Sequence, residues 1–436
     1  MVTTSGRRRR RSLLHWLVFL APGRRRSFWP GIVVTVVVTV INSGCQYWSG
    51  YDRLEWAGLD QLMQSVNALE HSRIVLVTIG DDDFANPSLF AAQRPLKPDV
   101  VIRLVAAACQ LKPAAVGVNI FTDTWTDEHR EALSSQIPPD CDVAWARDAT
   151  PIENDREHFR LGGTAGGAAA TESLCSGLTM FPAGSDGVVR EYQWQAMVRD
   201  DRSANSVAAH YATLVSATGS LGKACGFSGR LLGDAERIAR IRFSPDAGFR
   251  RIPAGVLIEA AKAPNDPGMR AMQGLDRESQ AVVLIGGAFR DAGDTYLTPI
   301  GRIPGVEVLA HALSTAKSNQ PIRIASWPIS LIVNLVSGIL IVLIVWASGL
   351  RLVFGTALSV TLAVAATLGL CDFLFNYYGY FPSVFVSMAG AAAGATVAMT
   401  WPALGWPAMK RGFETFLAEY RERRRGRART DSNPRT

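Results

Sequence analysis

Four stretches without a single charged residue dominate this chain of 436 residues: "FWPGIVVTVVVTVINSGCQYW" (28–48), "ASWPISLIVNLVSGILIVLIVWASG" (325–349), "LVFGTALSVTLAVAATLGLC" (352–371) and "YFPSVFVSMAGAAAGATVAMTW" (380–401). A helix needs about 20 apolar residues to cross about 30 Å of hydrocarbon, and each stretch reaches that length. Trp and Tyr sit at several of their ends, as in an interfacial belt. The run 13–23 is too short to span and is expected to lie at the membrane surface. Residues 28–48 follow a basic region as a signal peptide would. They are long for its apolar core and lack a small-x-small cleavage site, so a retained anchor is expected.

Charge orders these segments. Residues 1–26 hold eight Arg and no acid, and residues 403–436 hold nine Lys/Arg against four acids, in a chain of net charge +7. Basic flanks mark the cytoplasmic side. The N-terminus is then inside, residues 49–324 outside, the Arg351 link inside, the Asp372 link outside and the tail inside. Basic arms could also hold nucleic acid, but every crossing agrees with the membrane reading and no nucleic acid is expected. Gly390 and Gly394 give the fourth segment a small-residue face for helix packing or a dimer seam. The amphipathic strip of Phe413, Phe416, Leu417 and Tyr420 suits anionic lipid, with docking to a partner helix as the alternative.

Between the first two segments the pattern is mixed α/β. "RIVLVTI" (73–79) and "AAVGVNIF" (114–121) read as buried strands around a helix at 98–111, a βαβ unit with a parallel pair. Residues 122–170 are polar and rich in Pro, Gly and Asp, and read as a long irregular insertion. "SLCSGLTMF" (173–181) and "GVVREYQWQAMV" (187–198) read as strands joined by "PAGSDG". A helix is expected at 203–219, strands at 240–243 and 281–287, and a helix at 304–316.

Several residues could carry chemistry. Asp81, Asp82 and Asp83 follow a strand end, where ligands bind in open parallel sheets. Their spacing is not that of a calcium loop, and on an extended chain they would face alternate sides, so no metal is expected. Asp294 stands in a Gly/Pro-fixed loop with Thr298, Pro299 and Gly305; it is expected to tie that loop, which feeds a helix N-terminus able to receive an anion. Glu307 and His311 share a helix face at i and i+4; a hydrogen bond between them fits better than a metal site, which lacks further ligands. Asp186, Gly187 and Arg190 suit a hairpin turn with a structural role. No catalytic motif and no cofactor fingerprint is present. Of six cysteines, Cys109 lies on an apolar helix face and reads as buried, while Cys141, Cys175 and Cys225 lie in or beside loops of the outer domain, where one pair could bridge; Cys141–Cys175 is the expected disulfide.

The elements "RIVLVTIGDDDF", "GVNIF", "SDGVVREYQW" and "AVVLIGGAFRDAGDTYLTPIGRIPGVEVLAHAL", followed by apolar helices, occur in an order that resembles the second type of CHASE domain, the cyclase/histidine-kinase-associated sensory extracellular domain. The resemblance covers roughly residues 50–400. It implies an extracytoplasmic sensor that regulates an intracellular cyclase, diguanylate cyclase or kinase output. Asn119 stands where such domains usually have Asp, and "RPLKPDV" only loosely matches their usual Pro-Trp element. After the fourth segment 35 residues remain, too few for an output domain.

The expected architecture is an α/β extracytoplasmic sensory domain inserted between one N-terminal and three C-terminal transmembrane helices. It consists of a basic N-terminus (1–27), helices at 28–48, 325–349, 352–371 and 380–401, the sensory domain 49–324, and a basic tail (402–436). The expected setting is a bacterial inner membrane with residues 49–324 periplasmic and both termini cytoplasmic. A signal would pass to a separate cytoplasmic partner. Membrane lipids, an extracytoplasmic ligand and a second copy of the chain complete the expected partners. Two other readings remain: a metal-dependent periplasmic hydrolase built on Asp81–Asp83 and Asp294, and an envelope assembly protein without a ligand.

Overall fold

The computed structural model describes residues 32–40, 49–64, 73–122, 125–152, 155–161, 175–198, 209–219, 238–263, 281–318, 322–324, short pieces between 331 and 375, and 380–381. The chain divides into two units, Leu59–Arg323 and Met1–Gly58 with Ile324–Thr436.

In chain order the elements are helix α1 (Ser49–Gln64), β1 (Ile74–Ile79), α2 (Asp81–Ala85), α3 (Pro98–Cys109), β2 (Ala115–Asn119), α4 (Asp127–Gln136), β3 (Val143–Arg147), β4 (Ala149–Ile152), β5 (Asp155–Leu161), β6 (Ser176–Leu178), β7 (Glu191–Gln193), β8 (Gln195–Val198), β9 (Ala209–Ala212), α5 (Leu214–Gly219), β10 (Ile238–Arg240), β11 (Arg250–Pro253), α6 (Ala254–Lys262), β12 (Val282–Gly287), β13 (Thr295–Thr298), β14 (Gly301–Pro304) and α7 (Gly305–Lys317). Six strands form one sheet in the order β11-β1-β12-β2-β3-β6, parallel throughout. The βαβ reading holds with one change: β12, from far along the chain, lies between β1 and β2.

Strand periodicity explains the layering. Val75, Val77 and Ile79 of β1, Val116 and Val118 of β2, and Val283 and Ile285 of β12 enter one core with α3 and α6. The alternate residues Ile74, Leu76, Val282 and Leu284 are equally buried, on the opposite side. Helices α5 and α7 pack against that side. Both faces are covered, so the central strands are apolar without interruption. Burying each such aliphatic side chain contributes roughly 1.5–3 kcal/mol. The edge strand β11 differs: Arg250, Arg251 and Pro253 are exposed, which discourages pairing with another chain.

Within the stretch expected to be an irregular insertion, residues 125–152 and 155–161 hold a helix and three strands; 123–124, 153–154 and 162–170 lie outside the described residues. Thr126 caps α4 with its hydroxyl on the His129 N–H, and among the helix's described side chains Leu133 alone is deeply buried, so its apolar signal is weak. Strands β4, β5, β8 and β9 form a second, four-stranded sheet around Leu178, Ala196, Val198 and Tyr211. Pairing with β8 makes residues 209–212 a strand, so the helix expected at 203–219 shrinks to α5; residues 203–208 lie outside the described residues. The single strand expected at 187–198 breaks at Trp194 because β7 pairs with β10 and β8 with β9. The strand expected at 240–243 ends at Arg240; Ile241 to Ser244 continue as buried chain, held by Thr315 Oγ1 accepting the Arg242 N–H at 2.9 Å.

The disulfide expectation is corrected. Cys141 pairs with Cys109, Cα to Cα 5.8 Å, and Cys175 is bonded elsewhere. Helix α4 turns the chain back and brings Cys141 beside the end of α3, which an irregular insertion would not do.

Of the four apolar segments, residues 32–40 and short pieces between 331 and 375 are helical. Helix persists at 372–375, where a link was expected, and Tyr380–Phe381 is extended rather than the start of a helix. Among the described residues no helix is long and apolar enough to cross a membrane. The surface run 13–23, the Gly390/Gly394 face and the amphipathic tail lie outside the described residues.

Candidate functional site

The carboxyl ends of β1, β2, β12 and β3 share one edge of the parallel sheet, the edge at which open α/β sheets receive ligands. Most of the residues singled out in the sequence lie at or near it.

Asp81, Asp82 and Asp83 open α2, so they follow a helical turn rather than an extended chain with alternating sides. Asp81 accepts the Arg290 N–H at 2.7 Å. Asp83 accepts N–H groups from Ala254 and Gly255 at 3.2 and 3.0 Å, and from Gly80 at 3.3 Å. It thereby caps α6, whose own N-cap is a proline without a capping side chain. Two of the three carboxylates therefore tie loops and do not converge. Among the described residues no group of three or more His, Cys, Asp or Glu is placed to hold a metal ion. Beside them Phe84 and Phe289 stack at 4.1 Å, with the Arg94 guanidinium 5.6 Å from both rings.

Asp294 is the half-buried centre of this edge. Its Oδ2 accepts from Asn119 Nδ2 at 2.7 Å, Tyr296 donates a second bond, and its carbonyl accepts the Gly305 N–H at 2.8 Å. The carboxylate lies against the start of α7, where a Cβ on Gly305 would overlap both of its oxygens. Burial raises the Asp294 pKa, partly offset by the Tyr296 and Asn119 bonds. Asn119, the departure from the usual Asp, has an evident consequence here: an amide donates where a second carboxylate would repel. Thr298 donates to the Gly301 carbonyl at 2.7 Å and closes the β13–β14 hairpin around Pro299. The Asp294 carboxylate thus joins its loop to β2 through Asn119 and to β13 through Tyr296, rather than bonding the N–H groups of its own loop.

Glu307 and His311 do not bond each other, contrary to expectation. Glu307 pairs with Arg251 across on β11 at 2.5 Å. His311 is buried between Phe243 and Phe249, ring centroids 5.1 and 4.9 Å away, and bonds the backbone of Arg242. Burial, with Arg251 nearby, pushes its pKa down to about 3. The i,i+4 spacing aligns the two residues, but partners on other elements claim each.

The "SDGVVR" turn is more connected than its sequence suggests. Gly187 sits at φ +77°, a conformation side chains resist, and the Asp186 carboxylate accepts the Val188 N–H at 3.1 Å. Arg190, only 3% exposed, holds two carboxylates. Its Nε and Nη2 meet Asp60 at 2.7 and 2.6 Å, and its Nη1 and Nη2 meet Asp186 at 3.0 and 2.8 Å. Burial opposes the Arg190 charge, but the two carboxylates outweigh it and raise its pKa, while Arg190 lowers that of Asp186. Asp60 belongs to α1. Val188 bridges Leu297 of β13, whose carbonyl accepts the Val189 N–H at 2.8 Å. A continuous bonded path therefore joins Asp60 to Arg190, to the turn, to β13 and so to the hairpin that begins beside Asp294.

The sequence reading missed Asp60, Tyr296 and the role of Asn119. Asp60 shows no local signal; only the buried Arg190 demands it. Tyr296, two residues from Asp294, was within reach of local reasoning.

No curated protein and no solved structure matches the chain. The CHASE2 domain family matches residues 32–349, well over half of the chain. That span holds the whole parallel sheet and both turns described above, and the chain belongs to the CHASE2 family of sensory domains.

Proposed function

We propose that this chain is a membrane-anchored sensor of the bacterial inner membrane. Residues 49–324 face the periplasm, both termini are cytoplasmic, and a ligand at the carboxyl edge of the sheet alters a contact with a separate cytoplasmic partner. The charge order around the four apolar segments supports the anchoring. The observation that carries the relay is the double clamp of Arg190, which ties α1, the helix following the first apolar segment, to the turn that bridges β13. A buried, bidentate, fully charged junction has discrete bonded and broken arrangements, as a two-state element requires. The hydrolase alternative is weaker, because Asp81 and Asp83 already accept backbone N–H bonds.

Two experiments test this. Reporter fusions at residues near 200 and 430 should report opposite sides of the membrane, and the same side for both would overturn the topology. Photo-crosslinkers placed through 402–436 in intact membranes should trap a signalling protein in a pattern altered by Asp60→Asn at unchanged protein level. Recovery of self-contacts alone sinks the relay.

A further inference from the structure

Arg147 ends β3 at the carboxyl edge of the parallel sheet and is only 8% exposed. Its Nη1 donates to the Tyr211 hydroxyl at 3.3 Å, and its guanidinium carbon lies 5.8 Å from that ring. The Tyr211 hydroxyl also bonds Ser176 Oγ at 2.6 Å. Ser176 and Tyr211 are 4% and 2% exposed. Arg147 Nε is buried without a hydrogen-bond partner, and no carboxylate among the described residues pairs with this guanidinium.

A buried guanidinium without an anion is costly, and native proteins pair such charges. The same molecule shows what an unpartnered guanidinium edge of this kind can hold. Arg190 uses its Nε and Nη2 to grip both oxygens of Asp60. Arg147 has its Nη1 committed to Tyr211, which leaves the corresponding Nε–Nη2 edge, the fork that receives two oxygens of one anion. Tyr211 orients the guanidinium by accepting from Nη1, and its bond to Ser176 uses one of the two hydroxyl hydrogens of that pair. A purely structural polar cluster would satisfy its own donors; this one stops short by one anion.

We propose that Arg147, Tyr211 and Ser176 form a binding site for a small oxyanion, a carboxylate or a phosphate, gripped by the Nε–Nη2 edge of Arg147. The proposal deepens the sensory reading by naming a ligand class, and it rests on that reading only for its physiological meaning. Binding can fail while the tail crosslinks stand, and the reverse.

The test uses the full chain in nanodiscs, with thermal unfolding and calorimetric titration against sodium acetate, sodium succinate and inorganic phosphate, each compared with sodium chloride at equal ionic strength. At least one oxyanion is expected to raise the melting temperature and bind, and the one that does assigns carboxylate or phosphate. Arg147→Met should leave the melting temperature without anion unchanged or higher, because it removes an uncompensated buried charge, and should abolish the anion-dependent rise. Tyr211→Phe keeps the ring, and should weaken binding by about tenfold through loss of one orienting bond. If no oxyanion exceeds the chloride control, or Arg147→Met keeps the rise, the site does not exist. A Met variant that is strongly destabilised while wild-type protein ignores all three anions would make Arg147 structural.

Discussion

The carboxylate of Asp294 and the hydrogen atom in place of a Gly305 side chain are two halves of one arrangement. Gly305→Ala puts a methyl into both carboxylate oxygens, so Asp294 must leave Asn119 and Tyr296; a loss of about 2 kcal/mol is expected in urea unfolding. A variant as stable as wild type would show that the loop has room to move. His311 makes a different contribution. Its folded pKa of about 3 lies below the ordinary 6.5, so the folded protein binds fewer protons than the unfolded chain between those values. Its stabilisation is therefore complete above pH 6.5 and falls as pH drops towards 3. His311→Leu should flatten that part of a stability–pH profile, and an unchanged slope would assign it to other groups. Local spacing reaches the Tyr296 bond of Asp294, two residues away, but not the Asn119 bond, made across 175 positions. It misled at Glu307 and His311, whose partners come from β11 and the chain after β10.

Two helices begin alike. "RRIPAGV" starts α6 and "GRIPGVE" starts α7, each with a strand ending in a proline N-cap that has no capping side chain. Each receives a carboxylate from another loop, Asp83 onto the α6 N–H groups and Asp294 against the first residue of α7. An acid at a helix N-terminus is favoured both by open N–H groups and by the dipole. Asp83→Ala should cost about 1–2 kcal/mol, read as a lower urea midpoint with an unchanged slope. A midpoint equal to wild type would show that water caps α6 equally well. The regular elements that bury most of their residues were legible, since periods of 2 and 3.6 leave a local trace: β1, α3, β2, β12 and α7 all fall where the pattern puts them. Helix α4 and strand β9 were not, because α4 buries little and β9 owes its form to pairing with β8.

The unit Leu59–Arg323 is closed by contacts that span the chain. β12 inserts between β1 and β2, Arg190 reaches Asp60 across 130 positions, and Cys109 meets Cys141 across 32. Closing a loop of that length stabilises by about 3–4 kcal/mol in the chain-entropy account. Cys141→Ala should lower stability by that order, and peptide mapping without reductant should recover 109 joined to 141. A peptide joining 141 to 175 would reverse the assignment. From the order of residues alone came the four apolar segments with their charge asymmetry, the α/β class and the buried strands, because each is written in local composition and short-range period; the likeness to CHASE2 domains came from the resemblance of its motifs and their order. Strand order, the disulfide, the double clamp on Arg190 and the unpartnered Nε of Arg147 came only from the folded molecule. Each depends on which distant segments bury one another, and that choice is made by the free energy of the whole core rather than by any neighbourhood in the chain.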